Sequence, residues 1–105
     1  MSAFLLMALL FSDTAERNRQ AVEFYRQGAF TEAEALYRSA LEEGPPPLDA
    51  AKIWSNLGAL YKRQARWQEA EESYHAAQAL AEAIGWTEGV AVAHQALEAV
   101  VRAQA

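Results

Sequence analysis

A chain of 105 residues with a net charge of −5 and no cysteine excludes several classes of protein at once. It is one domain at most, its 14 acidic against 9 basic side chains disfavour neutralising a nucleic-acid backbone, and it offers no disulfide framework, thiol nucleophile or cysteine zinc site. At 52% apolar, carried largely by Ala and Leu, it has enough to bury, and its abundance of Ala, Glu, Gln and Arg with few β-branched residues predicts an all-α fold.

Residues 3–11, AFLLMALLF, form one apolar run. It is far shorter than the roughly 20 residues a membrane-spanning helix needs, and it has the length of a signal-peptide core. No Lys or Arg precedes it, and no small-x-small cleavage site comes after it. Residues 1–12 therefore fit either a signal or anchor segment or a hydrophobic helix packed as a cap on the next one. The first alternative implies export or membrane attachment, the second a cytoplasmic protein.

Asp13 with Glu16 resembles a capping box and opens a helix over residues 14–27, which Gly28 ends. Thr31 with Glu34 repeats the pattern for a helix to about residue 43, burying Ala33, Leu36, Tyr37, Ala40 and Leu41. Gly44-Pro45-Pro46-Pro47 is a stop, since proline cannot continue a helix. Asp49 is the expected cap of a helix over residues 50–64. Another helix is expected over residues 67–84, closed by Gly85, and Thr87 is the expected cap of a last one reaching about residue 103.

The chain repeats itself. Phe24, Ala33, Tyr37 and Ala40 recur 37 positions later as Tyr61, Ala70, Tyr74 and Ala77, and Ala21 recurs as Gly58. Leu57, Leu60 and Tyr61 recur at an offset of 40 as Leu97, Val100 and Val101. Small residues let helices approach closely while aromatics fill the gaps between layers.

These residues resemble the tetratricopeptide repeat (TPR) family, whose 34-residue helix–turn–helix unit carries a W-x2-L-G-x2-Y … A-x3-F … P pattern. Residues 51–84 supply Trp54, Leu57, Gly58, Tyr61, Ala70, Tyr74 and Ala77, with Glu82 in place of the proline. Residues 14–47 supply Ala21, Phe24, Ala33, Tyr37, Ala40 and Pro45, and depart at Arg17 and Gln20, as a wetter edge helix would. The tail from Ala77 to Leu97 is similar to the longer repeats of the kinesin light chain type. The resemblance implies a right-handed superhelix of antiparallel helix pairs, about two and a half repeats: residues 14–47, residues 51–84 and a half repeat at residues 87–103.

The resemblance also implies a function. Such repeats are protein-interaction scaffolds, and the ligand-facing positions of their first helices fall here on Asn18, Val22, Tyr25 and Arg26, then Lys52, Ser55, Asn56, Ala59, Lys62 and Arg63, then Val92, Gln95 and Ala99. Asn56 matches an asparagine that bonds peptide backbones, its amide donating and accepting at once. The expected site is a concave groove of Asn18, Tyr25, Arg26, Lys52, Asn56, Lys62, Arg63 and Gln95. Arg17, Arg19, Arg26, Lys52, Lys62 and Arg63 all fall on first helices, so the groove should be basic and favour acidic segments or a terminal carboxylate. The carboxylate-clamp subfamily carries Lys where this chain has Asn18, which counts against binding of chaperone tails.

A structural alternative is self-association through the apolar ends, residues 4–11 and 90–101. Nothing asks for an enzyme, a metal or a cofactor: HExxH, GxSxG, P-loop and GxGxxG patterns are all missing. His75 is expected in solvent, His94 as a half-buried packing residue at the place of Trp54, and Glu69, Glu71 and Glu72 as a solvated face.

Overall fold

The structure, a computed structural model, describes residues 14–105. The expectations for residues 1–12, and the capping role of Asp13, lie outside the described residues. Five helices succeed one another: α1 (Thr14–Arg26), α2 (Phe30–Glu42), α3 (Pro47–Arg63), α4 (Trp67–Ala83) and α5 (Thr87–Gln104). Among the described residues there is no strand, and no helix is long and apolar enough to cross a membrane.

Short connections make each helix pack on the next. In addition α3 touches α1 on one side and α5 on the other, whereas α2 and α4 do not touch each other. The first helices of the hairpins thus form a closed inner layer and the second helices a splayed outer one. A stack whose members touch on one side and part on the other curves toward the touching side. The Cα envelope is 17 Å in its thinnest direction, close to the roughly 15 Å of two layers about 10 Å apart with helix radii of about 2.3 Å.

The core is built as the spacing dictates. Ala21, Ala33, Ala40, Ala70, Ala77 and Ala93 are buried, and Tyr37, Tyr61, Ile53, Leu57 and Leu60 fill the space they leave. Leu36 and Leu41, expected inside, are only half-buried. Two helices approach closely at Gly58, where an added Cβ would lie 2.7 Å from the ring of Tyr74. Both residues are buried, so the ring has nowhere to move. Gly58→Ala is therefore expected to destabilise by about 1–3 kcal/mol, although alanine is the better helix former by about 1 kcal/mol. A urea-unfolding midpoint at or above the parent's would remove this packing role from Gly58.

The helix starts differ from the sequence expectation. None of α2 to α5 has a side-chain cap bond: α2, α4 and α5 are preceded by Ala29, Arg66 and Trp86, each with ψ between 71° and 84°. Thr31 and Thr87 fall inside their helices. Pro46, at φ −54° and ψ 150°, precedes α3, and Pro47 takes its first position, where a missing N–H costs nothing. Asp49 sits in the first turn, near the positive end of the helix dipole. The α3–α4 turn puts Ala65 at φ 57°, the conformation that Gly28 and Gly85 supply at the neighbouring turns.

Glu34 does not cap α2. It accepts from the Tyr61 hydroxyl at 2.8 Å, from Arg38 Nε at 3.0 Å and from Arg66 Nη1 at 3.0 Å. Arg66 also donates through Nε to Glu69 at 2.8 Å and lies 4.4 Å from the Tyr61 ring centroid. Burial pushes the Glu34 carboxyl up, but the bonds from Arg66, Tyr61 and Arg38 outweigh it and hold it below its ordinary value. This cluster locks the outer helix α2 to the turn that begins α4. Glu69 is part of it rather than of a solvated face.

Two further expectations are corrected. Arg17 is 5% exposed and paired with Glu43 at 2.8 Å, so it belongs to the α1–α2 contact and not to the inner face. Its long stem fills the place where the repeat pattern has tryptophan. His94 is exposed and meets Glu98 at 3.1 Å, because no described helix covers that side of α5.

Candidate peptide-binding face

The inner layer carries two shallow hollows between α1 and α3. The first, about 200 Å³, is lined by Val22, Tyr25 and Arg26 of α1, Asn56 and Ala59 of α3, and Tyr37 beneath. The second, about 230 Å³, lies further toward the start of α1 and includes Asn18, Asp49 and Lys52. Between them Asn56 Nδ2 donates to Asn18 Oδ1 at 2.9 Å, bridging the two helices. A backbone amide from a ligand would find Asn56 Oδ1 and Asn18 Nδ2 to bond.

Toward the other end of α3, the Arg63 guanidinium lies 5.8 Å from the Tyr25 ring and 5.9 Å from the Phe30 ring. Those two rings are themselves in tilted contact at 5.7 Å. Lys52 reaches over Trp86 at 6.0 Å, which ties it to the start of α5. The repeat register does not by itself place Phe30 and Trp86 beside these cations. Each adjoins a glycine-containing turn, and that is the only local signal for them.

The cations divide into two sets. Arg17, Arg19, Arg38 and Arg66 are each in an ion pair. Among the described residues, Arg26, Lys52, Lys62 and Arg63 have no carboxylate within ion-pair distance. The paired set holds the fold together; of the other five cations, Arg26, Lys52, Lys62 and Arg63 lie on α1 or α3 and Arg102 lies on α5. Arg19 lines the second hollow and also pairs with Glu16 on its own helix.

Of the eight site residues expected, the structure brings Asn18 and Lys52 into one hollow and Tyr25, Arg26 and Asn56 into the other. Arg63 caps the Tyr25 ring. Lys62 and Gln95 line neither hollow, and Gln95 is exposed on α5. Among the described residues no three His, Asp or Glu side chains gather as metal ligands.

Helical hairpins with a closed inner layer and a splayed outer one define a helical-repeat protein. Residues 53–85 match the family model of the tetratricopeptide repeat, so most of α3 and all of α4 form such a repeat. No curated protein and no solved structure matches the chain. The tetratricopeptide repeat is in general a non-catalytic module that binds proteins or peptides.

Proposed function

We propose that the inner face of α1, α3 and α5 binds an extended acidic peptide segment of a partner protein. The observation that carries this reading is the coincidence of three features on one surface. Asn18 and Asn56 present backbone-bonding amides, two hollows flank them, and Arg26, Lys52, Lys62 and Arg63 have no carboxylate partner among the described residues. The Asn18–Asn56 bond would be exchanged for bonds to the peptide backbone. The cations would take acidic side chains or a terminal carboxylate, with Arg63 held in place by the Tyr25 and Phe30 rings. Lys62 and Gln95 would extend the site at its margins.

Asn56→Ala with Arg63→Ala should weaken binding of an acidic peptide by roughly 10- to 100-fold, since a hydrogen bond to a charged group contributes about 1.5–3 kcal/mol. Both residues are at least partly exposed, so the melting temperature should stay near the parent's. Fluorescence anisotropy with labelled acidic peptides reads the affinity, and full affinity in the double variant would sink the proposal.

A further inference from the structure

We infer that the outer groove between α4 and α5 receives residues 1–13 of a second copy of this chain, joining copies head to tail. The groove holds about 550 Å³, with Leu97 and Val101 as its floor and Glu71 and His75 among its α4 wall. The internal repeat identifies it. Glu71 and His75 stand 37 positions after Glu34 and Arg38, and Leu97 and Val101 stand 40 after Leu57 and Tyr61.

The first version of this groove, between α2 and α3, is covered at the turn that begins α4, where Arg66 lies 4.4 Å from the Tyr61 ring. The start of α4 meets Glu34 through Arg66, and Tyr74 of α4 packs on Gly58 of α3. Tyr61 beneath it is 2% exposed. In the second version no described helix lies over the floor, and Val101 is 60% exposed.

Chain order and chemistry point to the occupant. Residues 1–13 precede α1 in the chain as α2 precedes α3 and α4 precedes α5. Residues 1–12 have no charged side chain, and residues 3–11 are all apolar, so laying them over Leu97 and Val101 buries apolar surface and leaves Glu71, Glu98 and Arg102 as a charged rim. The same chain is a poor donor: α1 touches neither α4 nor α5, and Thr14 lies beside Asp49 and Lys52 on the inner side. A second copy is free of that constraint. The two patches differ, so the contact is heterologous and need not close on itself.

Sedimentation of the full chain tests this. The parent's mass should rise with concentration without stopping at a dimer. Val101→Asp spoils the groove and leaves the segment, whereas Leu6→Glu with Leu9→Glu spoils the segment and leaves the groove. Each variant alone should associate at least tenfold more weakly, with unchanged helix content by circular dichroism. Mixed, the two should form a one-to-one pair that grows no further, since one intact groove meets one intact segment. A parent that stays monomeric at every concentration overturns the inference. So does a variant that still grows alone, or a mixture of two folded variants that remains monomeric.

Discussion

Tyr61→Ala should leave the chain largely unfolded at physiological temperature, while Tyr61→Phe should fold with a lowered melting temperature. Tyr61 is 2% exposed and stands where three helices meet. Removing a buried aromatic ring costs about 3–5 kcal/mol in lost burial and cavity formation. Here the ring is also the platform for Arg66, and its hydroxyl donates to Glu34 while accepting from Arg38 at 2.5 Å. Without it, Glu34 keeps its two arginines but loses the group that spaces them. A domain of this size has about 5–15 kcal/mol in all, so the alanine variant loses a large fraction of it. The phenylalanine variant keeps the ring and loses the two charge-assisted bonds of the hydroxyl, to Glu34 and from Arg38, about 1.5–3 kcal/mol each. Chemical denaturation of the three proteins measures the difference. An alanine variant within about 1 kcal/mol of the parent would contradict the role of this cluster.

The second large effect is alkaline unfolding. Burial pushes the phenols of Tyr37, Tyr61 and Tyr74 up from 10 to about 12. For Tyr61 the bond to Glu34 adds to burial. The ionised phenol is thus disfavoured in the fold, and an unfolded chain releases these protons at lower pH. The stability linked to them is fully present below pH 10 and falls as the pH rises toward about 12. Moving one group by this much corresponds to about 3 kcal/mol, a large fraction of the stability of a small domain. Helical dichroism and phenolate absorbance monitored through this window should change together. Stability that stays flat from pH 10 to 12 would contradict the burial of these rings.

The helices were legible because their signal is local and redundant. Ala33, Tyr37 and Ala40 repeat as Ala70, Tyr74 and Ala77, and small-next-to-aromatic spacing has no other good use in a helix. The helix starts were misread because the Thr31–Glu34 pattern is local while its true partners are not. Tyr61 and Arg66 lie 27 and 32 residues from Glu34, and only the folded layer brings them there. His94 was misplaced for a related reason: its equivalence to Trp54 predicts packing only where a neighbouring helix lies over it. On the inner face, Asn56 was legible through the repeat register, but its bond to Asn18 depends on how closely α1 and α3 approach. Arg17 shows the limit of reading charge from helix order alone, since its head turns to Glu43 and leaves the face its neighbours share.

The most direct measurement of the central claim is backbone and side-chain amide NMR during titration with an acidic peptide. Binding to the inner face predicts saturable shifts at Asn18, Tyr25, Asn56 and Arg63, including the side-chain amides of both asparagines as their mutual bond is exchanged. Shifts confined to outer residues of α2 and α4, such as Glu32 and Glu72, would contradict it.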